Sequence, residues 1–226
     1  MDAPDGAVPN AADMKTLQVA TRIHGRVLVR EAADPTAVIF GFHGYMENAD
    51  IQMRRLVEMA GPAPWTLVSV QGLHRFYRAR SEAVIASWMT SQDRDDMIAD
   101  NVEYVDRVAE VSAPPGVPLI TAGFSQGAAT AFRSAVRGKR RAAGIIAVGG
   151  DVPPELLPDR SLTFPPTLLV RGDRDEWYTA AKLDADLTRL RGRGAAAEPL
   201  IFGTGHEWTV EISGAASRFV ERLARS

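Results

Sequence analysis

Residues Pro118–Phe132 read PLITAGFSQGAATAF, an apolar run that breaks at Gly123-Phe124-Ser125-Gln126-Gly127 and resumes as a helix of small residues. A serine between two glycines, where a buried strand gives way to a helix, can be forced into a strained, sharply turned backbone that exposes its hydroxyl. The hydroxyl then sits at a helix N-terminus, where amide donors and the helix dipole favour developing negative charge. Ser125 is therefore a candidate nucleophile, provided that the rest of the chain supplies a sheet to hold it and partners to activate it.

Strands and helices take turns on both sides of this stretch. Upstream, TAVIFGFHG and WTLVSVQG are almost continuously apolar, as expected of strands covered on both faces. A helix over about 48–59 separates them, and DRDDMIADNVEYVDRVAEV places Met97, Ile98, Val102, Val105, Val108 and Ala109 at helical spacing. Downstream come strands at AAGIIAVGG, PTLLVRGD and AEPLIFG, with helices from Gln126, over about 179–190 and over about 211–224. At the start, LQVATRI and RVLVREA flank His24-Gly25 and predict an antiparallel hairpin. This order predicts an α/β fold: a mostly parallel central sheet with an antiparallel N-terminal hairpin and helices on both faces. The Pro-rich DVPPELLPDRSLTFPP could overhang a site but is too short to be a cap domain.

Composition narrows the setting. A chain of 226 residues, 46% hydrophobic and 24% charged, predicts one domain over residues 15–226 behind a flexible tail at residues 1–14. A formal net charge of -2 gives no electrostatic footprint for nucleic acid, and Lys139-Arg140-Arg141 reads as a solvated helix end. With no cysteine there are no disulfides, thiolates or Cys-based metal sites. The N-terminus lacks the basic start and apolar core of a secretory signal, and no stretch reaches the roughly 18 apolar residues of a membrane span. The expectation is a cytoplasmic protein without stable membrane insertion.

In open α/β sheets the binding groups gather at the carboxyl ends of the strands. A serine nucleophile needs a base there, and the base needs an orienting carboxylate, following the serine in the order Asp then His. His206, in Gly203-Thr204-Gly205-His206, is the one histidine downstream of Ser125 and is the base by elimination. Three carboxylates compete for the third place: Asp151, Asp173 and Asp175. An Asp directly after Gly suits a turn, so Asp175, two residues deeper into its loop, is favoured over Asp173. The backbone N–H groups of Gln126 and of Tyr45, in the loop after the first central strand, are the expected oxyanion donors. His43, at the tail of that strand, suits a histidine that holds the loop by hydrogen bonds.

Together, Phe42-His43-Gly44-Tyr45, Gly123-Phe124-Ser125-Gln126-Gly127, Gly172-Asp173-Arg174-Asp175 and Gly205-His206 resemble the phospholipase/carboxylesterase family of α/β-hydrolases, which includes small bacterial esterases and acyl-protein thioesterases. The likeness runs from about Ala37 to the C-terminus. It implies an α/β-hydrolase fold without a cap domain, Asp175 as the triad acid and the Tyr45 and Gln126 amides as the oxyanion hole. Two departures bear on substrate preference. Met46-Glu47 stands where the family usually has Gly-Asp, and Glu176-Trp177-Tyr178 where it commonly has Val-Pro after the acid.

The expected activity is hydrolysis of carboxylic esters with short to medium acyl chains through an acyl-enzyme, without metal or organic cofactor. A thioesterase or lysophospholipase would use the same triad, and a non-catalytic hydrolase-fold receptor for a small ligand is the rival of a different class. Met46, Trp88, Trp177 and Trp208 are the expected wall of the substrate site.

Overall fold

Five runs of apolar sequence make the middle of one sheet. In the computed structural model, which describes residues 14–225, β2 (Ala37–Phe42), β3 (Trp65–Val70), β6 (Leu119–Phe124), β7 (Gly144–Val148) and β8 (Thr167–Gly172) are buried at every position. Strands covered on both faces have no solvent side to alternate with, which is why these runs read as continuous. β1 (Val27–Arg30) and β9 (Ala197–Phe202), with mixed burial, form the edges, and the strand order is β1-β3-β2-β6-β7-β8-β9. Every pairing is parallel except that of β1 with β3. The expected tail, apart from Met14, lies outside the described residues.

Alternate residues of each strand feed two apolar layers. Val38, Phe40 and Phe42 join Phe132, Leu169 and Leu187 on the face covered by α2 (Arg94–Ser112), α3 (Gln126–Arg137) and α4 (Ala180–Gly192). Ile39, Leu67 and Ile120 join Leu56 and Phe219 on the opposite face, under α1 (Ala49–Ala60) and α5 (Val210–Ala224). Each large side chain buried in this way contributes about 1.5–3 kcal/mol. Asn48 starts α1 by accepting the Ile51 N–H at 3.0 Å, the capping bond expected of an Asn ahead of a helix.

The antiparallel entry differs from the expected hairpin. Residues 16–23 form no strand, and β1 pairs instead with β3, Val27 lying opposite Val70. The alternation in LQVATRI has nothing to pack against, so Leu17, Val19 and Ile23 stay exposed, whereas β3 offers β1 a strand already anchored in the core. Gly25 is not a hairpin turn: a Cβ there would lie 2.1 Å from Tyr104 Cε2, and the Tyr104 hydroxyl donates to the Arg26 carbonyl at 3.1 Å. A second, two-stranded sheet escaped the sequence reading. β4 (His74–Tyr77) and β5 (Val84–Ser87) pair antiparallel, and Ala86 bridges to Glu47 beside the carboxyl end of β2.

Candidate active site

The elbow between β6 and α3 explains why its glycines are glycines. A Cβ on Gly123 would stand 2.2 Å from the Gly127 carbonyl oxygen, and one on Gly127 would stand 2.1 Å from that of Phe42. Only hydrogen fits at either place, so β6, α3 and β2 approach as closely as backbones can. Ser125 is pinned between them at φ 52°, ψ -118°, its N–H bonded to the Val148 carbonyl at 2.8 Å. A left-handed φ is unfavourable for a serine and persists only where surrounding structure imposes it.

The three side chains expected to work together meet. His206 Nε2 lies 2.8 Å from Ser125 Oγ, and its Nδ1 lies 2.8 Å from Asp175 Oδ2. Asp175 is buried, and its other oxygen accepts the N–H groups of Trp177 and Tyr178 at 2.8 and 2.9 Å. Three donors on one carboxylate restrict its rotation and fix Asp175 in the plane that His206 needs. Asp173 and Asp151 stand apart: Asp173 pairs at the surface with Arg174 at 3.4 Å, and Asp151 with Lys182 at 3.1 Å. Gly149 adopts φ 63° directly under the imidazole, where a Cβ would come within 3.0 Å of His206 Cε1. The His206 loop is shaped by Glu207, whose carboxylate accepts from the Thr204 hydroxyl and, at 3.4 Å, from the Gly205 N–H.

The loop after β2 is held by charge as well as by backbone. Glu47 accepts the Gly44 N–H at 2.8 Å and two bonds from the Arg55 guanidinium at 2.6 and 2.7 Å. Burial pushes the Glu47 carboxyl up, but the Arg55 hydrogen bonds and charge outweigh it and leave it below the ordinary carboxylate range. Glu47 therefore faces inward as a brace for this loop. Arg55 also lies over the Phe124 ring at 4.4 Å, and that ring lies 5.1 Å from the His206 imidazole. Among the described residues the N–H groups of Tyr45 and Gln126 have no acceptor, which leaves both available to an anion near Ser125.

The Gln126 side chain carries a job that the motif did not reveal. Its Oε1 accepts the Trp88 N–H at 2.9 Å and the Ser87 hydroxyl at 3.3 Å, while its Nε2 donates to the Met89 carbonyl at 2.8 Å. These partners are distant in sequence and lie at the end of β5, so only the fold brings them into view.

A groove of about 320 Å³ opens beside Ser125 and His206, walled by Gly149 and Gly150, by Asp151–Pro154 of the Pro-rich segment, by Arg94 and Arg133, and by Trp177. Of the four residues expected to form the substrate wall, Trp177 alone borders this groove, with its ring 6.5 Å from that of His206. Trp88 is fully buried, packed on Phe42 and His43, with its indole N–H donated to the His43 carbonyl at 2.9 Å. Trp208 belongs to the layer under α5 and donates to Ser213 Oγ at 3.0 Å. Both rings are core residues because each finds an internal acceptor for its one polar atom. Met46, at φ 60°, is tied by its N–H to the Ala86 carbonyl at 3.1 Å and does not border the groove. No group of three or more His, Asp or Glu is placed to hold a metal among the described residues, and no described helix is long and apolar enough to cross a membrane.

This sheet order, its elbow and its helical layers define an α/β-hydrolase fold. Solved structures share it: esterase PE8 (TM-score 0.70, 20% identity, 90% of this chain and 100% of that one) and Zea mays acyl-protein thioesterase 2 (TM-score 0.69, 18% identity, 89% and 100%). The Bacillus cereus carboxylesterase is similar too, with a TM-score of 0.67 at 16% identity over 88% of this chain and 94% of that one. No protein-family model and no curated protein matches the sequence.

Proposed function

We propose that the protein is a serine hydrolase that cleaves carboxylic esters of short to medium acyl chains through an acyl-enzyme intermediate. The observation that carries the reading is the unbroken Asp175–His206–Ser125 relay, with 2.8 Å at each link, on an elbow whose backbone is held in a strained conformation. Folds of this kind host many functions, so the reading rests on the site. Its agreement with neighbours that are themselves an esterase, a thioesterase and a carboxylesterase is supporting context.

In the first half-reaction His206 Nε2 takes the Ser125 proton as Oγ attacks the ester carbonyl, and Asp175 stabilises the imidazolium. The oxyanion would settle on the Tyr45 and Gln126 amides, the latter at the N-terminus of α3 where the helix dipole assists. The imidazolium returns its proton to the leaving alcohol, and a water activated by the same histidine then releases the acid. A thioester would follow the same path with a thiol as leaving group.

The test is labelling of the wild type and of Ser125→Ala with a fluorophosphonate, read by intact mass, beside hydrolysis of p-nitrophenyl acetate through hexanoate. The expected result is a single adduct and turnover, both absent in Ser125→Ala. A wild type that neither labels nor turns over any ester sinks the reading and favours a ligand-binding receptor.

A further inference from the structure

The groove beside Ser125 is charged where an acyl chain or leaving group would lie. Ser125, Ala129 and Arg133 follow one another at four-residue spacing along one face of α3, and all three border it. A rise of ~1.5 Å per residue sets Arg133 about 12 Å beyond Ser125 at the Cα atoms. A helical side chain leans back toward the N-terminus, which brings the guanidinium nearer to the serine.

Arg133 is buried, with its side chain 6% exposed, and hydrogen bonds account for only part of it. Nε donates to Glu155 Oε1 at 2.7 Å and Nη1 reaches Met89 Sδ at 3.2 Å. Arg94, the first residue of α2, donates to the other Glu155 oxygen at 2.9 Å from a more exposed position on the same groove. Two guanidiniums thus share one carboxylate. Burial pushes the Glu155 carboxyl up, yet the two arginines hold it at about 2, so it is one full negative charge shared between two guanidiniums at neutral pH; the remaining carboxylate near them, Asp95, approaches Arg94 only at 3.8 Å and is almost wholly exposed, a solvated contact that offsets little of their charge. Across the groove Lys182 is matched by Asp151 at 3.1 Å and adds no net charge, while the N-terminal end of α3 adds partial positive charge. A plain alkyl chain lying there would strip water from the arginines and return nothing.

We propose that the preferred esters carry an anionic group, a carboxylate several bonds from the scissile carbonyl, held by Arg94 and Arg133. The inference rests on the serine-hydrolase reading and gives that site its substrate class. The same pair would hold the anion on either half of the ester, so the test has two arms. On the acyl side, kcat/KM for mono-p-nitrophenyl adipate is compared with that for p-nitrophenyl hexanoate. On the alcohol side, the hexanoate ester of 4-hydroxybenzoate is compared with that of its methyl ester.

At low salt one arm should favour its charged member roughly tenfold, as a desolvated charge-assisted contact would. That ratio should fall in roughly 0.5 M salt, mainly through the more exposed Arg94, while the buried Arg133 keeps part of it. Arg94→Gln and Arg133→Gln should each cut the ratio at least about threefold, whereas Lys139→Gln, which removes the same charge outside the groove, should leave it alone. Should Arg133→Gln fail to fold, the more exposed Arg94 still decides the question. Neutral esters hydrolysed as fast as charged ones in both arms, or a preference unchanged by Arg94→Gln, overturns the substrate class and leaves the serine hydrolase standing. No turnover of any ester and no fluorophosphonate adduct overturns both.

Discussion

The segments after β2 and β9 each carry a histidine at the carboxyl end of the sheet, and they use it in opposite ways. His43 is fully buried and spends both ring nitrogens on backbone: Nε2 accepts the Gly72 N–H at 3.0 Å, so Nδ1 carries the hydrogen and donates to the Gly44 carbonyl at 2.7 Å. His206 keeps its ring 23% exposed and spends both nitrogens on the side chains of Asp175 and Ser125. A histidine whose partners are amides is a bracket, and one whose partners can lose or gain a proton is placed to move one. Position at the carboxyl end of a strand does not separate the two roles; the identity of the partners does.

The sharpest attempt to break this contrast is to exchange the two losses. His206→Gln should lower kcat by roughly 10⁴–10⁶-fold, as removal of a triad base does, while leaving the unfolding free energy nearly unchanged. His43→Gln should do the reverse, costing about 1–3 kcal/mol of stability through the stranded Gly72 N–H and its neighbours, with much the smaller loss in kcat. Steady-state kinetics and urea unfolding of both variants decide it, and equal kinetic losses would end the distinction.

A smaller effect tests the acid within one loop. Asp175→Asn should reduce kcat by roughly 10⁴-fold by presenting the wrong partner to His206 Nδ1. Asp173→Asn, a surface change two residues away, should stay within about twofold. Comparable losses in the two variants would return the choice between them to an open question.

The smallest effect concerns pH and sharpens the contrast from the side of stability. Burial, only partly offset by the Gly44 bond and the Glu47 charge, holds the His43 pKa below its ordinary 6.5. Glu47 is held below its ordinary 4.5, burial being outweighed by Arg55. Both are depressed in the folded state, so the stability each contributes is complete above its unfolded pKa and is lost as pH falls through its folded one. Unfolding free energy should therefore start to fall below about pH 6.5 through His43 and fall again below about pH 4.5 through Glu47. His43→Gln should flatten the first limb and Glu47→Gln the second. Limbs that survive their own substitution would assign them to other groups.

Much of this architecture was legible because burial on both faces leaves an unmistakable trace. The runs at 37–42, 65–70, 119–124, 144–148 and 167–172 are strands since almost nothing polar interrupts them. α2 declared itself by helical spacing, and α4 and α5, expected from the alternation with strands, end within a few residues of the expected bounds. The failures lie where sequence and solvent are less decisive. Residues 16–23 alternate like a strand but find no partner, whereas His74–Tyr77, wholly exposed and carrying His and Arg, is a strand for pairing reasons that no local pattern encodes. That Ser125, Asp175 and His206 would come together was readable from chain order and glycine-rich strand ends. Trp88 and Trp208 were not, because an aromatic ring beside a site looks the same in sequence whether it faces the site or the core. Arg133 was hidden for a related reason: it sits in a helix of small apolar residues, and its partner Glu155 lies in a Pro-rich loop.

The elbow also makes Ser125 a witness to folding. Its backbone is held at φ 52° by a bond to β7, and the glycine two residues on lets β2 dock against the start of α3. None of this is local, so a chain that has not assembled β2, β6 and β7 has an ordinary serine at position 125. On the proposed reading, the amount of fluorophosphonate captured in a short pulse would count the molecules whose sheet centre is complete. Reactivity at one hydroxyl would then time the closing of the three central strands.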